Sequence, residues 1–104
     1  MSKPDYTDLI KNKVIHERSR LLILSYLTGS ETGSAAFMEL QKILEFTRGN
    51  LSIQLKILQE AGYVSIKKKF KDKKPRTTVS LTEKGRQEIK NYLKEMEKII
   101  KNIK

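Results

Sequence analysis

A run of basic side chains in the second half of the chain is the strongest candidate for binding chemistry. Between Lys67 and Arg76, seven of ten residues are Lys or Arg and only Asp72 is acidic. The segment carries +6 of the formal net charge of +10. Positive charge concentrated in one segment is typical of proteins that bind a polyanion, because each cation can neutralise a phosphate. Lysine enrichment for solubility or thermal adaptation would instead raise Glu as well and spread the charge.

A second candidate surface lies upstream, where cationic, amide and hydroxyl side chains follow one another from Thr47 to Lys56. Arg48 can bind guanine or a phosphate, Asn50 and Gln54 can pair with adenine, and Ile53 can contact a thymine methyl group. Two readings remain open. In the alternative, Arg48 and Lys56 are ordinary solvated cations and Ile53 packs against the preceding helix.

Other chemistries find no support in the sequence. The chain has no Cys and one His, His16, so thiolate metal sites, disulfides and Cys nucleophiles are excluded and a metal sensor is not expected. No Ser-His-Asp set and no Gly-rich phosphate loop appears. No apolar run approaches the ~20 residues that span a bilayer. We therefore expect no enzyme activity, no cofactor and no membrane partner, and a cytoplasmic, nucleoid-associated protein.

The elements that must position the two basic surfaces are mostly helical. At 104 residues the chain has room for one domain. Apolar spacing and helix formers predict three helices before the basic run, at residues 16–28, 36–45 and 48–61. Thr47 is suited to cap the third helix and Gly62 to end it. Because two residues separate the second and third helices, the pair reads as a helix-turn-helix.

Beyond Gly62 the pattern alternates, which predicts strands at residues 63–66 and 77–81. The basic run then forms a hairpin and its tip, with Asp72 and Pro75 near the reversal. Thr82 is expected to cap a last helix over residues 83–102. Its apolar residues recur at spacings of 3 and 4, a pattern typical of a helix that packs against another helix. A second interpretation is that this helix folds back onto its own domain, covered in part by Leu9, Ile10, Val14 and Ile15.

The order of these elements resembles the winged-helix transcriptional regulators of the MarR/ArsR type, particularly the small archaeal and bacterial branch. Four local strings carry the resemblance, at residues 15–24, 37–40, 47–64 and 75–86. The sequence departs from the family pattern at Ala36, where a hydroxylated cap is common and Ser34 is left as a displaced substitute. It departs again at Ile53 and Gln54, where many relatives carry polar residues, so a base preference does not transfer.

The predicted fold is mostly α with a small β-hairpin (α+β), a winged helix-turn-helix with a C-terminal dimerisation helix. Residues 1–104 form one DNA-binding domain, with the winged-helix core at 15–81 and the dimerisation helix at 82–104. The resemblance to MarR-type proteins, which dimerise through terminal helices, favours that role for the last helix.

The preferred function is a homodimeric, sequence-specific regulator that binds double-stranded DNA. The third helix should place its first turns in the major groove, and the hairpin, as a wing, should contact flanking phosphates or the minor groove. The recognition residues are Thr47, Arg48, Gly49, Asn50, Ser52, Ile53, Gln54 and Lys56. The wing residues are Lys69, Lys71, Lys73, Lys74 and Arg76. The dimer residues are Ile89, Tyr92, Leu93, Met96, Ile99, Ile100 and Ile103.

Two other functions compete with this one. An architectural protein that coats DNA with little sequence preference would also carry a large positive charge. A binding module could instead use the last helix for a heterologous partner. Amide and methyl groups on the groove face of the third helix favour the regulator, because a coating protein mainly needs cations. Nothing in the sequence specifies a small-molecule effector.

Overall fold

Four helices and a three-stranded sheet make up the part of the chain that a computed structural model describes, residues 11–103, with the backbone alone at Lys71. The predicted burial of Leu9 and Ile10 lies outside the described residues. The helices are α1 (Arg18–Gly29), α2 (Phe37–Ile43), α3 (Arg48–Glu60) and α4 (Glu83–Lys101). The strands are β1 (Ser34–Ala36), β2 (Val64–Lys71) and β3 (Lys74–Leu81). This confirms the predicted α+β winged-helix architecture.

The ends of α3 follow from the residues that flank it. Thr47 Oγ1 accepts a hydrogen bond from Asn50 N at 3.1 Å, which confirms the predicted N-cap. Gly62 has a φ of 83°, a left-handed conformation that glycine adopts without strain. From there Gly62 N donates to Gln59 O and Tyr63 N donates to Leu58 O, both at 2.9 Å. These two bonds close the helix as a Schellman motif, as the sequence predicted.

The structure corrects the turn between α2 and α3. The predicted connection was two residues, but α2 ends at Ile43, so four residues, 44–47, separate the helices. Glu45 has a φ of 57°, and Phe46 N donates to Gln41 O at 3.0 Å. The helix therefore ends in the geometry that glycine usually supplies. Because Glu45 is a good helix former, the sequence pattern continued the helix through it.

The sheet is antiparallel in the order β1-β3-β2, and β1 was not predicted. Ser34 pairs with Ser80 on β3, and the two hydroxyl oxygens are 2.7 Å apart. Ser34 is therefore not the displaced cap of α2. Ala36 precedes that helix, and no side chain caps it. A three-residue strand formed by pairing with residues more than forty positions away leaves no local signal.

The hairpin is longer than its predicted strands. The β2 and β3 strands pair in register from Val64 with Leu81 to Lys71 with Lys74, so the basic run lies on the strands and not on a loop. Asp72 and Lys73 form the reversal, with φ values of 54° and 63°. Pro75 was expected there, but it lies within β3 opposite Phe70. Because β1 pairs only with residues 78–80 of β3, Pro75 removes no hydrogen bond from the ladder on that side.

One hydrophobic core joins the four helices to the sheet. Its fully buried side chains come from α1, α2, α3, β3 and α4, with one from the segment before α1. They are Ile15, Ile23, Leu24, Leu27, Leu40, Leu51, Leu58, Val79 and Ile89. None of the helices in the described residues is long and apolar enough to cross a membrane.

A close contact at Gly85 fixes α4 to this core. Thr82 caps α4 as predicted: its hydroxyl donates to Gly62 O at 2.6 Å and accepts from Gly85 N at 3.0 Å. A Cβ atom at Gly85 would overlap the Tyr63 carbonyl oxygen and lie 2.9 Å from the carbonyl carbon. Only glycine lets the first turn of α4 approach the end of α3 this closely. The orientation of α4 relative to α3 is set here.

Candidate nucleic-acid interface

The outer face of α3 carries most of the predicted recognition residues. The core takes Leu51, Leu55 and Leu58, which have between 0% and 2% of their surface exposed. That orientation leaves six of the predicted residues exposed on the same helix, Arg48, Gly49, Asn50, Ser52, Ile53 and Lys56. Ile53 is 59% exposed, so the interpretation that it packs against α1 is wrong. An exposed isoleucine beside polar groups leaves this face free to contact a partner.

An open groove of about 640 Å³ runs between α3 and the sheet. Arg48, Ser52 and Lys56 line it from the helix, and Ile66, Lys68 and Thr77 line it from the strands. The lining includes three cations, and no Asp or Glu is among the described residues that form it. Such a groove suits the backbone of a polyanion. Lys68 was not among the predicted site residues, because its position depends on strands longer than the sequence pattern indicated.

The register of the hairpin sorts its side chains onto two faces. Residues directly opposite each other in an antiparallel pair share a face, and successive residues alternate. Because Val79 is buried, its partner Ile66 and then Lys68 lie on the inner face, toward the core and α3. The other face carries three exposed cations predicted for the wing, Lys69, Lys74 and Arg76. Lys73 is exposed in the reversal, and the side chain of Lys71 lies outside the described residues.

Residues 19–100 match the protein family described as winged helix DNA-binding domain. The chain belongs to this family. An uncharacterised protein of Methanocaldococcus jannaschii is 37% identical over 91 residues, which cover 88% of the chain and 97% of the relative. Membership of a DNA-binding family also agrees with the prediction that the chain is not an enzyme.

Solved structures share the fold over most of the chain. A transcriptional regulator homologue from Pyrococcus horikoshii is 30% identical, superposes with a TM-score of 0.84 and matches 92% of this chain and 93% of its own. A MarR family transcriptional regulator from Streptomyces coelicolor, solved in complex with DNA, gives a TM-score of 0.62 at 21% identity, with 84% and 57% covered. These findings confirm the resemblance to winged-helix regulators. In the winged-helix fold, α3 takes the position of the predicted recognition helix and the β2–β3 hairpin that of the predicted wing.

A hydrogen-bonded relay from α1 holds two of the recognition residues. Arg20 Nε donates to Val14 O at 2.6 Å, and Arg20 NH1 donates to Gln54 Oε1 at 3.0 Å. Gln54 Nε2 in turn donates to Asn50 Oδ1 at 3.2 Å. Each amide oxygen accepts one hydrogen bond within the protein and keeps a second lone pair. Adenine pairing needs an acceptor and a donor from one amide, and Asn50 still has its Nδ2 donor and one acceptor position for a base edge.

Glu17 anchors the other side of Arg20. Its carboxylate accepts hydrogen bonds from Ser19 N at 3.1 Å and Arg20 N at 3.0 Å, which caps α1, and it lies 3.8 Å from Arg20 NH1. Burial raises the pKa of the Glu17 carboxyl, but the two backbone hydrogen bonds and the Arg20 charge outweigh burial, so the pKa lies below its usual 4.5. The Arg20 guanidinium therefore connects the start of α1 with the orientation of Gln54 on α3.

The predicted dimer residues of α4 divide into two groups. Ile89 and Tyr92 are buried in the chain's own core, which differs from the interface predicted for them. Met96 and Ile99 are half-buried. Leu93, Ile100 and Ile103 are 52%, 61% and 71% exposed. The fold-back interpretation therefore describes the first half of the helix, while the second half carries an apolar stripe that residues 11–103 leave largely uncovered.

His16 is exposed, and its Nδ1 lies 2.9 Å from the Tyr92 hydroxyl oxygen. Within the described part of the chain, no three His, Asp or Glu side chains come close enough together to hold a metal ion. The position of His16 is accounted for by this contact between the segment before α1 and the middle of α4.

Proposed function

We propose that the protein is a sequence-specific transcriptional regulator that binds double-stranded DNA as a homodimer. The observation that carries the proposal is the open groove between α3 and the wing, with Arg48, Lys56 and Lys68 along it beside an unobstructed helix face. Support also comes from the relatives, a transcriptional regulator homologue and a MarR family regulator solved with DNA.

The recognition helix enters the major groove with its first turns. A helix with its side chains is about 10–12 Å across, and the major groove is about 12 Å wide. The exposed face of α3 presents Asn50, Ser52 and Ile53, which can contact base edges and methyl groups, between Arg48 and Lys56, which can reach phosphates. This mixture of amide, hydroxyl, methyl and cation supports base reading in addition to charge neutralisation.

The wing contacts the backbone beside the footprint of α3. Lys69, Lys74 and Arg76 share one exposed face of the hairpin, and Lys73 stands in its reversal. No carboxylate other than Asp72 lies between Lys67 and Arg76. Asp72 is therefore the one acidic neighbour that these cations have along this segment, and they are expected to neutralise phosphates.

A second copy of the chain covers the apolar stripe of α4. Leu93, Met96 and Ile100 follow each other at spacings of 3 and 4 on the face that the core covers further up the helix, and Ile103 lies just beyond the end of α4. Apolar patches of this kind mark interfaces. A two-fold dimer through α4 presents two recognition helices to half-sites about 34 Å apart.

Binding to a duplex selected from a random pool, measured against bulk genomic DNA at one salt concentration, tests the regulator. Asn50→Ala is expected to weaken binding to the selected duplex about 5- to 150-fold, the equivalent of ~1–3 kcal/mol, and binding to genomic DNA much less. The matched control is Lys69→Ala, which should weaken both kinds of DNA alike and flatten the plot of log K against log salt by ~0.9 per site. Equal losses on both DNAs for Asn50→Ala would identify an architectural coating protein, which the charge of +10 also suits.

Sedimentation tests the dimer. Ile100 is exposed within its own chain, so Ile100→Lys leaves the core intact but buries a charge in the proposed interface, which is costly. The variant should sediment as a folded monomer and lose most of its DNA affinity, because linked half-site contacts become single ones. Asn91→Lys adds the same charge on the opposite face of α4 and should remain a dimer. A wild-type chain that is monomeric at micromolar concentration would contradict the dimer.

A further inference from the structure

The wing ends in an apolar patch that the cations around it do not explain. Phe70 is 81% exposed, and it pairs directly with Pro75, which is also exposed. A solvent-exposed phenylalanine in the middle of a basic run loses the benefit of burial that its ring could gain elsewhere. Neither residue contributes to the core, so the fold gives no reason for an aromatic ring at this position.

The register places this patch on a particular face. Three successive pairs occupy the inner face of the hairpin: Ile66 with Val79 in the core, Lys68 with Thr77 in the groove, and Phe70 with Pro75 at the tip. Each step of two residues advances about 6.8 Å, so the ring lies roughly 14 Å further along the strand than Ile66. The patch therefore continues the wall of the groove that Arg48 and Lys56 face.

We propose that Phe70 and Pro75 form an apolar wedge that enters the minor groove next to the major groove occupied by α3 and opens a base step there. The inference rests on the proposed DNA-binding function and adds a second means of reading sequence, because the cost of opening a step depends on the step. Phenylalanine and proline are among the side chains that proteins insert between bases in the minor groove.

Two features of the hairpin suit it to carry a wedge. The reversal is only two residues long, and Asp72 and Lys73 both have the positive φ that a tight hairpin turn requires, so the strands stay paired to the tip and hold Phe70 opposite Pro75. The cations on the opposite face, Lys69, Lys74 and Arg76, can hold one phosphate strand while Lys68 on the inner face approaches the other. An inserted ring then gains contacts between two neutralised strands.

An anionic membrane is the other polyanion that attracts a basic, aromatic tip. A membrane surface requires Phe70 and the cations to point the same way, so that the ring enters the lipid while the charges meet headgroups. In this hairpin three of the wing cations lie on the face opposite to Phe70. The arrangement therefore favours a groove with two charged walls over a single charged plane.

The test uses the full-length protein and a selected duplex that carries 2-aminopurine at successive positions of the flanking minor groove. Wild-type protein is expected to raise the fluorescence at one step, because unstacked 2-aminopurine emits more strongly. Phe70→Ala should abolish that rise and weaken binding about fivefold or more, and Phe70→Leu should keep much of both. The salt dependence should be the same for all three proteins, because no cation has changed.

The outcomes separate this inference from the function on which it rests. Binding by Phe70→Ala with wild-type affinity and fluorescence overturns the wedge and leaves the regulator intact. Failure of the wild-type protein to bind any duplex overturns the proposed function as well. Binding to vesicles of phosphatidylcholine and phosphatidylglycerol that depends on Phe70, with no effect of Phe70 on the duplex, overturns the wedge in favour of a membrane. Because the ring is exposed, the thermal unfolding midpoint of Phe70→Ala should match that of the wild-type protein and exclude misfolding.

Discussion

Gly49 gives a test in which stability and DNA binding should move in opposite directions. It is the second residue of α3, and a Cβ atom built there meets nothing within 4 Å. Its φ lies in the range that alanine accepts. Neither the backbone conformation nor the packing requires glycine at this position, and Gly49→Ala should stabilise the helix by about 0.5–1 kcal/mol. For a domain of this size that corresponds to a rise of roughly 2–8 °C in the unfolding midpoint.

DNA binding by the same variant should become weaker. The first turn of α3 has unpaired backbone N–H groups that can approach a phosphate or base edge closely only where no side chain intervenes. An added Cβ holds the duplex off by more than a hydrogen bond tolerates, and the loss of one such contact, ~1.4 kcal/mol, weakens binding about tenfold. Thermal unfolding and titration of a selected duplex on one preparation measure both effects.

Gly29→Ala is the matched control for this experiment. Gly29 is the last residue of α1, a Cβ atom there also meets nothing within 4 Å, and the residue lies outside the groove. Its replacement should stabilise the protein slightly and leave DNA affinity unchanged. Wild-type affinity in Gly49→Ala would refute the close approach of DNA to this turn. A lower unfolding midpoint of Gly49→Ala than of the wild-type protein would show that the space around Gly49 does not accommodate a Cβ atom.

Three further predictions concern positions that hold the frame of the site. Gly85→Ala should destabilise the fold by about 3 kcal/mol or more in urea titrations, because its Cβ overlaps the Tyr63 carbonyl. Near-wild-type stability would disprove the close contact between Gly85 and Tyr63. Glu45→Gly should raise the free energy of unfolding by about 1 kcal/mol, because glycine adopts a φ of 57° without strain. An unchanged urea midpoint would show that Glu45 is not strained. The pKa of Glu17 is lowered in the folded state, so its carboxylate stabilises the fold above pH 4.5, and this stabilisation is lost as pH falls through the lowered pKa. Glu17→Gln should therefore be less stable than wild type at pH 7. The difference in free energy of unfolding between the two proteins should narrow below pH 4.5.

The elements that the sequence predicted well are those whose signals are local. Thr47 and Gly62 lie at the ends of α3 and act within three or four residues, so their roles could be inferred without the fold. Strand β1 depends on pairing between Ser34 and Ser80, which are 46 positions apart. The outer half of the wing is rich in lysine, which is a poor strand former. Pairing across the hairpin overrides that preference, which an argument from the propensities of single residues does not capture.

Among the site residues, too, those placed by local signals could be predicted and those placed by contacts with other elements could not. The outer face of α3 could be inferred from helical periodicity because Leu51, Leu55 and Leu58 fix the inner one. The orientation of Gln54 could not, because it depends on Arg20, which lies on another helix 34 residues earlier. Lys68 was missed because its face is decided only by the register with Thr77.

The apolar stripe of α4 shows why periodicity alone does not identify an interface. Ile89 and Ile100 lie on one face of α4, yet the first fills the core and the second is 61% exposed. Which half of the stripe is covered depends on how far the rest of the domain extends along α4, and the spacing of the apolar residues does not record this. The close contact of Gly85 with the Tyr63 carbonyl fixes α4 relative to α3. If a second copy covers the exposed half, the spacing of the two recognition helices depends on the placement of α4 against α3 in each chain as well as on the contact between the copies. A change that loosens the contact of Gly85 with Tyr63 should therefore relax the preferred half-site spacing before it abolishes dimerisation.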